Sequence, residues 1–290
     1  MRRGKHITLI LLLCIVTLCL AGCGQMLQDL EQEMFTPISE DKEKDIEEYS
    51  VSFEAEEPGT FAYDRLSETE QIWYRDFNRL LAYRMDEYVE LSVDAMKDGL
   101  TAEDIDKIYN CVMMDHPEYF YVDGYEYVTY LNGVGKLVEI EICGKYTCSL
   151  EECEERQKEI EEAAEDLLWY APTDEDDYEK IRYVYETIIQ QTDYDMNVPD
   201  NQNIYSVLVG KASVCQGYAK ATQYLLNELG VDCSIVFGKV RDGESHSWNI
   251  VKCNGAYYHM DTTWGDASYS MNGEMLTEAE APEINYDYLC

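Results

Sequence analysis

From position 61 onward the apolar residues recur in two rhythms, one near 3.6 residues and one of two, and their order predicts the elements. Ser67-Glu68-Thr69-Glu70 has the form of a capping box. It opens a helix whose apolar positions Ile72, Trp73, Phe77, Leu80 and Leu81 fall at helical spacing, extending toward Tyr88. Thr101 begins a second helix through Ile105, Ile108, Cys111 and Val112. That helix stops at His116-Pro117, because proline disfavours helical geometry in the residue before it. Tyr119 to Tyr130 is aromatic and branched, Asn132-Gly133-Val134-Gly135 is turn-like, and Leu137 to Cys143 alternates again. The span 119–147 therefore reads as a hairpin. Ser149-Leu150-Glu151-Glu152 caps a charged helix to about Tyr170, which Ala171-Pro172 breaks. Thr173-Asp174-Glu175-Asp176 opens another, carrying Ile181, Val184, Tyr185 and Ile188 and ending near Thr192.

After a polar loop to Asn203, Ile204 to Val209 fits a short helix or a strand. Cys215 then opens an amphipathic helix with Tyr218, Ala221, Thr222, Leu225, Leu226 and Leu229 on one broad face. Gly230 suits the left-handed position that ends it. Val231 to Val240, His246 to Cys253 and Ala256 to Asp261 read as three strands. Asp242-Gly243 and Asn254-Gly255 are the turns between them, both strong hairpin signals. The predicted class is α+β: a helix packed on an antiparallel sheet, preceded by a helical and hairpin N-terminal region. No internal repeat is visible.

Upstream of 61 the rhythm is missing. Residues 23–60 are acidic, Asp41 to Glu48 is nearly all charge, and Pro58-Gly59 suits a boundary. This stretch reads as an acidic disordered tether. Before it, Arg2, Arg3 and Lys5 precede an apolar run from Ile7 to Leu20, too short for the roughly 20 residues of a membrane span. Leu20-Ala21-Gly22-Cys23 follows and resembles a bacterial lipobox, in which Cys23 accepts the lipid and becomes the first mature residue. The alternative is an ordinary secretory signal with an incidental cysteine. The expected organisation is a lipoprotein signal peptide at 1–22, the tether at 23–60, an N-terminal α+β region at 61–170 and a second domain at 171–290. The expected location is extracytoplasmic, lipid-anchored to the bacterial cell membrane.

Charge narrows the partners. The 290-residue chain carries a formal charge of −37. Such a surface repels nucleic acid and anionic lipid, so no nucleic-acid partner is expected. It could attract cationic substrates or hold calcium weakly, but a solvated acidic face is the plainer reading. Of the 11 cysteines, Cys14 and Cys19 fall in the signal and Cys23 takes lipid. Setting Cys215 aside leaves an odd number, so they cannot all pair within the chain. Export permits disulfides, and Cys233 and Cys253, on strands predicted to be neighbours, could form one. Cys143, Cys148 and Cys153 lack a CxxC pair or a nearby histidine, and read as packing cysteines or a disulfide rather than a metal site. No cofactor and no metal are expected.

One constellation carries chemistry. A thiol attacks an amide as the thiolate, which a helix N-terminus or an imidazolium stabilises. Cys215 sits where its helix starts, with unpaired backbone N–H groups near the sulfur and one available for an oxyanion. His246 begins a strand. Counting outward from Asn254-Gly255 places Asp261 beside Trp248, two positions from His246, so the carboxylate and imidazole share a face. Gly217 lets backbone or substrate approach closely. The chain has four histidines. His6 lies in the signal, His116 reads as a helix-end residue, and His259, two before Asp261, is the alternative base with weaker access.

Val214-Cys215-Gln216-Gly217-Tyr218-Ala219, His246-Ser247-Trp248-Asn249 and Asp261-Thr262-Thr263-Trp264-Gly265-Asp266 resemble the nucleophile, histidine and aspartate motifs of the transglutaminase-like superfamily, which has a papain-like core. The resemblance covers roughly 173–266. Upstream, only Asp115-His116-Pro117-Glu118-Tyr119-Phe120 loosely resembles the N-terminal regions of bacterial members. It implies Cys215 as nucleophile, His246 as general base and acid, and Asp261 as the orienting carboxylate. Trp248 and Trp264 would shield a thioester from water, and with Gly217 and Tyr218 make up the expected site wall. Gln202 and Asn203 are the candidates for a second oxyanion donor. Animal members use calcium, but no EF-hand-like loop is present. The chain stops at Tyr286-Asp287-Tyr288-Leu289-Cys290, where members continue into a further strand, so it reads as a shortened frame with the sheet's closing edge in question.

The expectation is a surface-anchored thiol enzyme acting on peptide or protein amide bonds, cell-wall or surface proteins among them. Hydrolysis would make it a peptidase or amidase, and capture by an amine a transglutaminase. The alternatives are a catalytically inactive scaffold of the same fold and a redox or metal protein, against which the missing CxxC argues.

Overall fold

The computed structural model describes residues 61–240, 243–266 and 284–289. The signal, Cys23, the tether, Asp242 and Cys290 lie outside them. At Ser67 the predicted capping box forms reciprocally: the Glu70 N–H donates to the Ser67 hydroxyl, and the Ser67 N–H donates to the Glu70 carboxylate. Helix α1 (Glu68–Ala82) follows and buries Trp73, Tyr74, Phe77, Leu80 and Leu81. It ends before Tyr88, which is exposed.

Two small elements come next, β1 (Val89–Glu90) and α2 (Val93–Lys97). Neither is long enough to show a period. Helix α3 (Ile105–Asp115) ends with His116 as its cap. Strands β2 (Val122–Leu131) and β3 (Leu137–Tyr146) make the predicted hairpin, and β1 pairs on the other side of β3. Helix α4 (Leu150–Leu168) starts beside a Cys148–Cys153 disulfide, while Cys143 stays free.

Helix α5 (Asp177–Gln191) is capped by Asp176. Short strands β4 (Asp193–Tyr194) and β5 (Ala212–Ser213) pair in parallel, with α6 (Ile204–Leu208) between them. Helix α7 (Cys215–Glu228) leads to Gly230, whose φ of 74° is the left-handed value foreseen for it. Strands β6 (Cys233–Lys239), β7 (Ser245–Cys253) and β8 (Ala256–Met260) form an antiparallel sheet in that order, and α8 (Thr262–Gly265) follows.

The sheet packs on α7, and the Asn249 amide donates to the Ala219 carbonyl at 2.9 Å. The Gln223 amide on α7 donates to Met114 O of α3 at 2.7 Å, tying the N-terminal helices to the same helix. Most of the buried apolar side chains form one cluster running from Leu66 to Leu289. One expectation is corrected here: Cys233 and Cys253 do not pair, and both are buried free thiols. Cys233 sits opposite Val251, so Cys253 lies two residues past the directly opposed position that a bridge would need. Among the described residues no helix is long and apolar enough to cross a membrane.

Candidate active site

Strand β5 delivers the chain to α7. The Val214 N–H is held by Asn201 O, and Val214 is an extended N-cap with no side-chain cap of its own. Cys215 is therefore the first helical residue, half-buried, at an end whose N–H groups are not claimed by a capping side chain.

Gly217 does not face substrate. A Cβ there would lie 2.0 Å from Ser213 Oγ and 3.1–3.2 Å from the carbonyls of Asn203 and Asn201. The glycine lets the 201–203 loop press against the start of the helix. Tyr218 is not a wall either. It is fully buried, its hydroxyl 2.7 Å from Thr192 O and 2.8 Å from an Asp266 carboxylate oxygen. It ties α7 to the end of α5 and to the chain after α8. Burial first, and Asp266 second, push its phenol far above the usual tyrosine range.

The other two members of the predicted trio meet. His246 on β7 and Asp261 just after β8 are both buried, with His246 Nε2 2.7 Å from Asp261 Oδ2. The pairing of Asn249 with Met260 sets this register. Asp261 is also the N-cap of α8: its Oδ1 accepts from the Thr263 and Trp264 N–H groups at 3.0 Å each. Burial works against a charged His246 ring, but hydrogen bonding and charge contacts with Asp261 and Cys215 outweigh it and raise the imidazole to about 9. With Nε2 committed to Asp261, Nδ1 is the nitrogen left for the thiol.

Two indoles flank the imidazole. Trp264 stacks on it at 4.9 Å and 17°, and Trp248 at 5.9 Å and 21°. Gly238 on β6 makes room for Trp248, since a Cβ there would lie 2.4 Å from the indole. His259 is exposed on the edge strand and accepts at Nδ1 from the Trp248 indole N–H at 2.9 Å. It supports the indole that stacks on His246, and neither His259 nor the two indoles is among the residues lining the cleft. His116 sits at the end of α3, with Nδ1 2.6 Å from Glu118, and does not line the cleft either.

A cleft of about 560 Å³ opens over Cys215 and His246, with Gln202, Phe237, Lys239 and Ser247 among its lining residues. Of the two candidate oxyanion donors, Gln202 lines it. Asn203 is buried elsewhere, capping α6 by accepting from the Ser206 N–H. Phe237 and Lys239 belong to this cleft but carried no sign of it in the sequence, being exposed positions on an ordinary alternating strand. The support from 285–288 was also unforeseen. Tyr288 O accepts from the Asp261 N–H at 3.0 Å, Tyr288 packs edge-on to Trp264, and the Tyr185 hydroxyl donates to Asn285 O. Among the described residues no group of three or more histidines, cysteines and carboxylates could hold a metal.

Residues 170–262 match the sequence profile of the Transglutaminase-like superfamily. No curated protein matches the chain. Among solved structures, a TGase is 16% identical over 53% of this chain and 47% of its own, with a TM-score of 0.35. The periplasmic domain of TgpA from Pseudomonas aeruginosa is 12% identical over 49% of this chain and 63% of its own, with a TM-score of 0.28. The chain thus spans about half the length of the first of these.

Proposed function

We propose that the protein, whose residues 170–262 match the profile of the Transglutaminase-like superfamily, cleaves or transfers peptide amide bonds through a thioester on Cys215. The observation that carries this reading is the 2.7 Å bond from Asp261 to the imidazole of His246, on a ring that shares one cleft with Cys215. Cys215 attacks the amide carbon as the thiolate, and His246 holds the proton released. The carbonyl oxygen gains negative charge. The Cys215 N–H at the start of α7 and Gln202, which lines the cleft, are the candidate donors to it. The C–N bond then breaks, and His246 gives its proton to the leaving amine. Water or a second amine attacks the thioester next, losing its proton to His246 and releasing the acyl group. The two indoles beside His246 restrict water, and how far they do so governs the balance of hydrolysis and transfer. Lipidation at Cys23 would place this chemistry outside the membrane, on peptides or on proteins of the cell surface.

The test uses the soluble chain from residue 24. Iodoacetamide labelling is followed across pH in wild type and His246→Ala. Labelling of Cys215 at neutral pH that collapses in His246→Ala supports the reading; an ordinary thiol profile in both sinks it. A glutamine peptide offered with and without a primary amine then separates the two outcomes. Ammonia release independent of amine marks hydrolysis, and amine incorporation marks transfer. No ammonia and no thioester under either condition would leave the fold as an inactive scaffold.

A further inference from the structure

The cleft over Cys215 is unlike the rest of this molecule in its charge. The chain as a whole stands at −37. Yet the residues lining the cleft include no aspartate or glutamate, and one lysine, Lys239. Five of the other nine described lysines pair with acids, Lys97–Asp94, Lys145–Glu126 and Lys252–Asp232 among them, while Lys136, Lys180, Lys211 and Lys220 lie away from this cleft. Lys239 is exposed, and its ammonium has no hydrogen-bond or ion-pair partner among the described residues. An unpaired cation in an acid-rich protein, at the wall of the one cleft that holds the thiol, is placed to meet a charge that arrives from outside.

Its neighbours define the shape of what arrives. Phe237 and Lys239 are two apart on β6 and share a face, about 7 Å from one another along the strand. Phe237 is 48% exposed, an apolar ring with no partner covering it fully. Between them Gly238 turns its bare Cα toward the Trp248 indole. In the register, Gly238 lies opposite His246 and Lys239 opposite Ser245. His246 therefore shares the face of Gly238, while Phe237 and Lys239 line the cleft from the other face of the strand, with Ser247 and Ser245 opposite them. The matching ligand is an extended peptide with an apolar side chain and, a residue or two further on, a carboxylate.

We propose that the cleft selects acyl donors carrying a carboxylate next to the reacting amide, and that Lys239 is the residue that reads it. The carboxylate comes either from an aspartate or glutamate side chain or from a free C-terminus close to the amide. This rests on the thioester reading above for the identity of the reaction, but the recognition can be tested without the reaction. The long-range field of the protein repels such a peptide, so the preference depends on the local pair.

The experiment uses one set of glutamine peptides that differ only in the flanking residue, Glu, Gln or Lys, each with a free and an amidated C-terminus. The ratio of kcat/KM for the Glu peptide to that for the Gln peptide is measured for wild type, Lys239→Ala and Lys239→Glu. Wild type should favour the Glu peptide about fivefold, Lys239→Ala should remove the preference, and Lys239→Glu should shift it to the Lys peptide. If the free C-terminus gives the preference and the Glu side chain does not, the carboxylate being read is the terminal one. Raising the salt to about 0.5 M should shrink the wild-type ratio. A wild type that prefers neither the Glu side chain nor the free C-terminus, or a preference unmoved by Lys239→Glu, overturns the proposal. Binding of the same peptides to Cys215→Ala, by fluorescence polarisation, gives the ranking independently of chemistry. An absent ranking there defeats the role of Lys239 even if thioester turnover is seen, and a clear ranking with no turnover in wild type defeats the thioester reading alone.

Discussion

Asp261 serves His246 and helix α8 with different oxygens. Oδ2 sits 2.7 Å from His246 Nε2, while Oδ1 receives the Thr263 and Trp264 N–H groups at 3.0 Å. The cap fixes the side-chain rotamer, and the rotamer aims the second oxygen at the ring. Stability and orientation are thereby separable by substitution. Asp261→Ala removes both, and should lower stability by about 1 kcal/mol for the lost cap and activity by about 10³-fold or more. Asp261→Asn keeps an oxygen for the cap but turns an amide N–H toward His246, favouring the wrong tautomer. It should lose activity comparably while melting close to wild type. Thermal unfolding and kcat/KM on the same two proteins check this. A fully active Asp261→Asn would show that the carboxylate does not orient the imidazole.

The raised imidazole sets a pH window. His246 is lifted from 6.5 to about 9 in the folded protein, against burial, by Asp261 and Cys215. A raised folded value means the charged ring contributes stability that is fully present below the unfolded value of about 6.5 and is lost as pH rises through about 9. The same proton is the one the leaving amine needs. The alkaline limb of kcat/KM should therefore fall near pH 9, and the melting temperature of wild type should drop between pH 7 and 9.5 more than that of His246→Gln. An alkaline limb near 6.5 would mean that the partners do not hold the proton on His246.

That His246 and Asp261 meet was legible because both positions hang on one turn. Asn254-Gly255 sets the register, and period-two geometry then fixes which residues share a face. The capping box at Ser67 and the hairpin at 122–146 were legible for the same reason, being local chemistry at fixed spacing. The close backbone approach at Gly217 was foreseen, but Gly217 and Tyr218 were misplaced in the site wall because proximity in a motif is not proximity in space. At roughly 100° per residue, Gly217 lies about 200° around the helix from Cys215, on the side of the 201–203 loop. Lys239, Gln202 and Tyr288 reach the site through tertiary packing of an edge strand, a loop and a short 3₁₀ turn, and none of these announces its neighbours through periodicity.

The packing at Gly217 gives a stability prediction that is independent of catalysis. In Gly217→Ala the new methyl would stand 2.0 Å from Ser213 Oγ, which itself donates to Asn201 O at 2.7 Å and lies 2.8 Å from Ser206 Oγ. Two backbone carbonyls stand at 3.1–3.2 Å, so the hydroxyl alone cannot relieve the clash. The loop carrying Gln202 must move. The expected cost is about 1–3 kcal/mol, read as a lower denaturant midpoint with an unchanged slope. A variant as stable as wild type would mean that this loop is not seated as described.

The last prediction concerns the indole wall. His259 Nδ1 accepts from the Trp248 N–H at 2.9 Å, and Trp248 stacks on His246. His259→Phe takes the acceptor away and leaves an indole N–H without its partner, a loss of about 1 kcal/mol. The indole should then sample positions away from the imidazole. Turnover should fall about threefold to tenfold, with a red shift in tryptophan emission as water reaches the ring. His259→Gln restores an acceptor and should recover both signals. Were His259 the proton carrier itself, His259→Gln would be as inactive as His259→Phe, and neither variant would shift the fluorescence in step with the rate. Measuring emission and kcat side by side in the two variants separates a residue that positions the wall from one that moves the proton.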